Sequence, residues 1–117
     1  MKQLLTILGP TASGKTTLAT RLAYEVDGEV ISADSRQVYR GMTIGTGKDL
    51  ADYVVEEKPI PYHLIDICDP GTKYNLFEYQ RDFLQAYEDI RRRGCQPVLC
   101  GGTGLYIEAV LRGYQPP

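Results

Sequence analysis

The sequence has no surplus of basic residues. Its 117 residues include 13 Lys and Arg against 15 Asp and Glu, which gives a net charge of −2. No global positive field would attract nucleic acid, so an RNA or DNA partner has to be held by local patches. The apolar run near the start follows a single lysine and is too short for a signal peptide or a membrane span. We therefore expect no membrane partner.

Cysteine and histidine are scarce. The three cysteines, Cys68, Cys95 and Cys100, form no C-x-x-C pair. An odd number at this spacing indicates reduced thiols rather than a disulfide framework or a zinc site, and so predicts a cytoplasmic protein. The single histidine, His63, flanks a candidate strand and has no Cys or Asp at metal-ligand spacing, which favours a structural role.

The sequence does contain an alternation of apolar strands and amphipathic helices. Apolar residues make up 43% and charged residues 24%, as in ordinary globular domains, and 117 residues allow one domain at most. The order strand, helix, strand, strand, helix, strand, helix predicts a mostly parallel sheet with helices on its faces. The expected strands are 2–8, 29–33, 63–68 and 96–100, and the expected helices are 15–26, 75–93 and 105–111.

The first helix and the middle of the chain are predicted from spacing and composition. Leu18, Leu22 and Val26 are spaced to form an apolar stripe, supported by two alanines, and Gly28 follows as a stop signal. Residues 49–61 are polar and end in two prolines. We expect a short helix or an irregular connection there.

The helix over residues 75–93 has the clearest signals. Asn75 followed by Glu78 predicts a capping box, and Gly94 predicts the end of the helix. The tyrosines are predicted to be core and rim residues rather than a base-stacking platform. The three arginines at 91–93 are predicted to form a solvated helix end. The expected buried face consists of Leu76, Phe83, Tyr87 and Ile90.

The most informative stretch joins the first strand to the first helix. Glycines at both ends let its backbone fold around an anion, and the start of the following helix adds a positive field. Lys15 would reach the outer phosphate oxygens, and Thr16 would offer a hydroxyl to a bound Mg²⁺. The alternative is a Gly/Ser/Thr-rich turn with a stray lysine, but the strand–loop–helix context favours a ligand that carries phosphate or diphosphate. The stretch matches G-x-x-x-x-G-K-[ST], the P-loop, with residues Gly9, Pro10, Thr11, Ala12, Ser13, Gly14, Lys15 and Thr16.

Other polar residues follow the remaining strands. In open α/β sheets, ligands bind beyond the carboxyl ends of the strands. Asp34 follows the second strand, where it could bind a metal through water or act as a general base, or instead cap a turn or helix. Thr103, in Gly-Gly-Thr-Gly after the fourth strand, could approach a ligand closely, cap the last helix, or do both. Asp66 and Asp69 are weaker candidates at the third strand.

Five motifs in this order resemble one family. They are G-P-T-A-S-G-K-T at 9–16, D-S-R-Q-V-Y at 34–39, G-M-T-I-G-T-G-K at 41–48, H-L-I-D-I-C-D-P at 63–70 and G-G-T-G-L-Y at 101–106. Together they resemble the tRNA dimethylallyltransferases (tRNA isopentenyltransferases) and, more distantly, the adenylate isopentenyltransferases. The resemblance covers nearly the whole chain. It implies a P-loop NTPase-like, three-layer α/β fold with about four strands.

The resemblance also implies an activity. Members of the family transfer a dimethylallyl group from dimethylallyl diphosphate to the exocyclic amine of the adenine just 3′ of the tRNA anticodon. The loop at 9–16, with Mg²⁺, would hold the diphosphate leaving group. Asp34 would take the proton of the amine, and Thr103 would hold the amine or a diphosphate oxygen. Ser35, Arg36 and Gln37 match family positions that touch the tRNA.

The chain departs from the family in length, because family members continue well beyond the matched motifs. We therefore expect residues 1–117 to be the N-terminal P-loop catalytic core, without the helical tRNA-gripping insertion and the C-terminal part. Such a core is expected to be a monomer that folds and binds diphosphate but turns over poorly alone. The alternatives are a small P-loop kinase that uses ATP, an adenylate isopentenyltransferase that acts on free AMP, and a non-catalytic nucleotide-binding module.

Overall fold

The computed structural model describes residues 4–8, 15–33, 54–65, 67–69, 71 and 73–101, and at positions 8, 15 and 16 it describes the backbone alone. No helix in these ranges is both long enough and apolar enough to cross a membrane. The motifs at 34–39 and 41–48 and the predicted last helix at 105–111 lie outside the described residues. The elements are β1 (Leu5–Leu8), α1 (Lys15–Val26), β2 (Gly28–Ser32), β3 (Val54–Val55), β4 (Lys58–Pro59), β5 (Tyr62–His63), α2 (Leu76–Arg92) and β6 (Gln96–Gly101).

Four strands form one parallel sheet in the order β1-β6-β2-β5. β6 is central: its residues 98–101 pair with β1, and its residues 96–100 pair with β2. The connection from β1 to β2 contains α1, and the connection from β5 to β6 contains α2. Strands that run parallel in one sheet need such crossover connections, and each of these two connections passes over one intervening strand. The predicted α/β fold with a mostly parallel sheet of about four strands is confirmed.

Helices cover both faces of this sheet. Successive side chains of a strand point to opposite faces, so Val30 and Val98 pack toward α1 whereas Ile31 and Leu99 pack toward α2. All four are fully buried, as expected for strands of a covered parallel sheet. The cluster on the α1 side is Ala19, Ala23, Val30, Val55, Ile60, Ile65, Val98 and Cys100. The cluster on the α2 side is Ile31, Ala33, Leu64, Tyr79, Phe83, Tyr87, Ile90 and Leu99.

Helix α1 has the predicted bounds, but only part of its predicted apolar stripe is buried. Leu18 is 57% exposed and Val26 is 38% exposed, whereas Ala19 and Ala23 are completely buried. The prediction is therefore wrong for Leu18 and Val26, whereas the two alanines form the buried face and Leu22 packs against the same cluster. Alanines let the helix backbone approach the sheet closely, and this contact outweighs the larger apolar area of the leucine and valine side chains.

The end of α1 also differs from the prediction. Asp27, not Gly28, takes the left-handed backbone conformation that follows the helix, with φ of 55°, which aspartate tolerates better than most residues. Gly28 is already the first residue of β2. A Cβ at Gly28 would collide with the carbonyl oxygen of Gln96 on β6. Glycine at position 28 is therefore explained by the close approach of β2 to β6 and not by the end of the helix.

The part of residues 49–61 that the structure describes is a β-hairpin, so neither the predicted helix nor an irregular connection is correct there. Val54–Val55 pairs antiparallel with Lys58–Pro59. Glu56 and Glu57 form the turn with φ of 50° and 67°, values typical of a type I′ turn, which usually contains Asn or Gly. Without that signature the hairpin could not be recognised. The hydroxyl of Tyr24 on α1 donates to Glu56 Oε2 at 2.8 Å and holds the turn.

The third predicted strand is shorter than expected. β5 contains only Tyr62 and His63, because Leu64 has φ of 67° and leaves the extended conformation. Leu64 and Ile65 remain buried. The apolar run at 63–68 thus indicated burial at Leu64 and Ile65, while Ile67 and Cys68 are half-buried, and it overestimated the length of the strand.

Helix α2 confirms its predicted start and stop. The Asn75 side chain accepts a hydrogen bond from the Glu78 N–H at 2.8 Å, and Glu78 Oε1 accepts one from the Asn75 N–H at 3.2 Å. Gly94, with φ of 80°, follows the helix. The buried face is Tyr79, Phe83, Tyr87 and Ile90. Leu76 is only half-buried, and Tyr79, one turn later, takes the place predicted for it.

Candidate functional site

Three strand ends lie side by side at the carboxyl edge of the sheet. Leu8 at the end of β1 is paired with Gly101 at the end of β6, and Ser32 at the end of β2 is paired with Cys100. Neighbouring strands are about 5 Å apart, so the ends of β1 and β2 are separated by roughly 10 Å, with β6 between them. Each end leads directly into a predicted site segment: the P-loop, Asp34 and Thr103.

The flanks of the P-loop have the expected context. β1 ends at Leu8, and α1 begins at Lys15, so residues 9–14 connect a strand directly to a helix N-terminus. Lys15 and Thr16 belong to the first turn of α1, where free backbone N–H groups and the helix dipole favour an anion. Residues 9–14 and the side chains of Lys15 and Thr16 lie outside the described part of the chain.

The end of β2 is fixed by contacts to two other elements. The Ala33 N–H donates to the Cys100 carbonyl of β6 at 2.9 Å. The Tyr79 hydroxyl of α2 donates to the Ser32 carbonyl at 2.8 Å, within the buried core. The residues directly before Asp34 are therefore held by hydrogen bonds to both β6 and α2. Asp34, Ser35, Arg36, Gln37 and Thr103 themselves lie outside the described residues.

A second polar cluster lies at the opposite end of β2 and was missed from the sequence. The side chain of Glu29 is only 5% exposed, and both its oxygens bind the guanidinium of Arg93, with Nη2 to Oε1 at 2.9 Å. His63 Nε2 lies 2.7 Å from the same Oε1. Arg93 also binds Asp89 at 2.9 Å. The sequence did contain one signal for this cluster. Glu29 is a single carboxylate in an otherwise apolar strand, and a buried charge needs a partner.

This cluster adds a contact to one prediction and agrees with another. The Arg93 side chain is 43% exposed, as expected at a solvated helix end, but it also reaches back from the end of α2 to bind Glu29 on β2. His63 contacts Glu29 as a structural histidine would. Burial would by itself raise the pKa of Glu29, but hydrogen bonds from Arg93 and His63 outweigh it and hold the pKa below its usual value. The same hydrogen bond favours the charged form of Arg93 and therefore raises its pKa.

A groove of about 520 Å³ lies between α2 and the segment that follows β5. Its polar wall is already occupied by internal contacts: the Tyr74 hydroxyl donates to Asp82 Oδ2 at 2.5 Å, and Arg81 Nε donates to Asp82 Oδ1 at 3.1 Å. Its lining includes none of the predicted site residues.

The weaker site candidates and the described carboxylates indicate no second site. Asp69, a weaker candidate, is exposed, and Asp66 lies outside the described residues. Across the described ranges, no group of three or more His, Cys, Asp and Glu is arranged to hold a metal.

A parallel sheet, with a G-x-x-x-x-G-K-[ST] loop between its first strand and first helix, defines the class of the P-loop α/β proteins. Within that class, the chain belongs to the IPP transferase family. The family model described as IPP transferase matches residues 37–117, and the model described as isopentenyl transferase matches residues 2–60.

Curated relatives agree with this family. A tRNA dimethylallyltransferase 1 of Parabacteroides distasonis is 72% identical over 113 residues, which are 97% of this chain and 37% of that protein. A tRNA dimethylallyltransferase 2 of Bacteroides fragilis is 70% identical over 112 residues, 96% of this chain and 37% of that protein. The chain thus spans little more than a third of the length of these relatives.

Solved structures share the fold. The full-length tRNA isopentenylpyrophosphate transferase of Bacillus halodurans matches with a TM-score of 0.86 and 44% identity, over all of this chain and 38% of that one. A eukaryotic dimethylallyltransferase described as acting on tRNA matches with a TM-score of 0.83 and 36% identity, over 93% of this chain and 26% of that one.

Proposed function

We propose that the chain is the phosphate-binding and catalytic core of a tRNA dimethylallyltransferase. It would transfer the dimethylallyl group of dimethylallyl diphosphate to the exocyclic amine of the adenine just 3′ of the anticodon. The observation that carries this proposal is the adjacency of the ends of β1, β6 and β2 at one edge of the sheet. With that order, the P-loop and Asp34, which follow β1 and β2 in the sequence, would lie on either side of the end of β6.

The donor would be held by residues 9–16. The first turn of α1 begins at Lys15, so backbone N–H groups are available to the diphosphate, and the Lys15 ammonium would neutralise charge on its outer oxygens. As the bond between the allylic carbon and the diphosphate oxygen breaks, negative charge accumulates on the leaving group. Donors already in place stabilise that charge without reorganisation.

The acceptor would be held between Asp34 and Thr103. The adenine nitrogen forms the new bond to the allylic carbon, the diphosphate leaves with the electron pair of the broken bond, and Asp34 takes the proton of the amine. An aromatic amine is a weak nucleophile, so alignment with the allylic carbon supplies much of the rate. Thr103 would hold the amine or a diphosphate oxygen. Ser35, Arg36 and Gln37 would contact the tRNA, whose loop bases can be splayed from their stack at modest cost.

A Mg²⁺ ion is part of this proposal. Mg²⁺ bound to a diphosphate needs only one or two protein ligands, because phosphate oxygens and waters complete its octahedron. Thr16 is the second residue of α1 and directly follows Lys15 of the P-loop motif, and a hydroxyl is a suitable ligand for such an ion. The ion would supply positive charge for the departing diphosphate.

The test uses a chimera in which this chain replaces the matching 37% of the Parabacteroides distasonis relative. Transfer from labelled dimethylallyl diphosphate to an anticodon stem-loop is measured with Mg²⁺. The matched control is the same stem-loop with purine, which lacks the amine, at the target position. We expect labelling of the adenine substrate and none of the control.

Two other outcomes would contradict this proposal and favour a different function. Preferential labelling of free AMP would indicate an adenylate isopentenyltransferase. Calorimetry of the 117-residue chain itself adds the second comparison, between dimethylallyl diphosphate and ATP, each with Mg²⁺. Tight ATP binding without prenyl diphosphate binding would indicate a kinase or a nucleotide-binding module.

A further inference from the structure

The ends of β2 and β6 approach each other more closely than a side chain at position 101 would allow. A Cβ built on Gly101 would lie 2.8 Å from the Ala33 Cβ and 2.9 Å from the Ala33 carbonyl oxygen. Both distances are shorter than the 3.4 Å at which ordinary van der Waals contact begins. Glycine is required here because Ala33 occupies the space, not because of an unusual backbone angle.

Ala33 is the last described residue before Asp34, and Gly101 is separated from Thr103 by one residue. The contact between them therefore sets the distance between the last described residues before Asp34 and before Thr103. A second contact acts on the same strand end, since the buried Tyr79 hydroxyl donates to the Ser32 carbonyl at 2.8 Å. One contact holds β2 laterally against β6, and the other holds it against α2.

We infer that Gly101 and Tyr79 are positioning residues that fix the end of β2 and thereby set the location of Asp34 relative to Thr103. This inference rests on the proposed function. It also predicts that substitutions at Gly101 and Tyr79 affect the acceptor side of the site, at Asp34 and Thr103, more than the phosphate loop. The three atoms nearest to a Cβ at 101 all belong to Ala33, so the strain falls on the pairing of β2 with β6. Gly101 is also the register partner of Leu8 on β1, but none of those three atoms belongs to β1, so we expect the pairing of β1 with β6 to be less affected.

The test compares Gly101→Ala and Tyr79→Phe with the unmodified chimera. Displacement of a catalytic group by a fraction of an ångström to 1 Å can cost up to about a hundredfold in rate. We expect Gly101→Ala to lower kcat for prenyl transfer by roughly tenfold to a hundredfold, and Tyr79→Phe by a smaller factor. The Kd for dimethylallyl diphosphate should change by less than about twofold, because its loop follows β1.

Two matched controls separate positioning from loss of stability. Gly28→Ala creates the same kind of clash between β2 and β6, but at the far end of the pair, against Gln96. Tyr87→Phe removes a hydroxyl from the same buried face of α2, about 12 Å further along the helix. Both should leave kcat of the folded protein within about twofold, although either can lower the melting temperature.

Relief of the clash gives a second readout. Adding Ala33→Gly to Gly101→Ala removes the closer of the two contacts and should restore part of the lost kcat. If the unmodified chimera transfers prenyl groups and Gly101→Ala and Tyr79→Phe both keep its kcat, the inference is wrong and the proposed function stands. If Gly101→Ala does not fold, Tyr79→Phe alone decides between these outcomes. If the unmodified chimera is inactive, it is the proposed function that fails.

Discussion

The guanidinium of Arg93, at the end of α2, binds both carboxylate oxygens of Glu29, at the start of β2. The two partners are unequally buried: the Glu29 side chain is 5% exposed and the Arg93 side chain is 43% exposed. The pair connects the last turn of the helix to a central strand of the sheet. It lies at the opposite end of β2 from the predicted catalytic residue Asp34, so its contribution is to stability.

Because the two side chains are unequally buried, we expect their substitution to lower the free energy of unfolding by different amounts. Arg93→Met leaves a buried carboxylate with His63 as its remaining partner, and we expect a loss of about 2–4 kcal/mol in the free energy of unfolding. Glu29→Gln leaves a guanidinium that water reaches, and the expected loss is about 1–2 kcal/mol. Urea unfolding followed by circular dichroism measures both. The matched control is Arg92→Ala, at a 74% exposed side chain, which should stay within about 0.5 kcal/mol of the unmodified chain. Equal losses for the two cluster variants would contradict this account.

The same cluster predicts a loss of stability in acid. Hydrogen bonds from Arg93 and His63 outweigh the effect of burial and hold the pKa of Glu29 in the folded chain below its usual value of 4.5. The unfolded state therefore binds this proton more readily than the folded state. The stabilising contribution of Glu29 is complete above about pH 5 and is lost as the pH falls through 4.5 toward the lower pKa of the folded chain.

Comparison with Glu29→Gln isolates this contribution from the other carboxylates. The difference in unfolding free energy between the unmodified chain and the variant should shrink steadily between about pH 5 and pH 3. A difference that grows on acidification would show that the pKa of Glu29 is raised, not lowered.

The sequence predicted those features of the fold that depend on local signals. The capping box of Asn75 and Glu78 starts α2 as expected, and the apolar runs of β2 and β6 form the centre of a parallel sheet. The parallel arrangement followed from the alternation of strands and helices. With it came the expectation that residues after β1, β2 and β6 meet at one edge, and the order of the sheet brings those three ends together.

Features that depend on tertiary contact were not predictable in this way. The buried face of α1 is formed by small residues, because close approach to the sheet favours Ala19 and Ala23 over Leu18. The role of Gly28 depends on the position of Gln96, 68 residues later, and no local pattern reveals it. The contact of Arg93 with Glu29 was not predicted because the two residues lie on different elements.

The capping box supplies a prediction that concerns α2 alone. Asn75→Ala removes the side-chain acceptor of the Glu78 N–H and should destabilise the chain by about 1 kcal/mol. Asn75→Asp keeps an acceptor at the same position, next to the positive end of the helix, and should preserve stability. Thermal unfolding of the three chains, followed by circular dichroism, tests this. A loss of similar size in both variants would indicate that the amide group, rather than the cap, is what matters.

The proposed magnesium site predicts a dependence on divalent metal that Thr16 controls. Chelation with EDTA should abolish transfer by the chimera, and added Mg²⁺ should restore it. Thr16→Ser keeps the hydroxyl and should retain transfer, whereas Thr16→Val keeps the shape and should raise the Mg²⁺ concentration needed for half-maximal rate. Identical Mg²⁺ titrations for the serine and valine variants would exclude the Thr16 hydroxyl as a ligand.

The order of the strands predicts that donor binding and acceptor chemistry can be separated by mutation. Lys15 follows β1 and belongs to the donor side, so Lys15→Met should weaken binding of dimethylallyl diphosphate in calorimetry. Asp34 follows β2 on the other side of β6, so Asp34→Asn should leave that affinity nearly unchanged. The same variant should lower kcat by about 10²–10⁴, the usual contribution of a positioned general base. Loss of donor affinity in Asp34→Asn would mean that this carboxylate serves the diphosphate and its metal ion, and that the proton of the adenine amine leaves by another route.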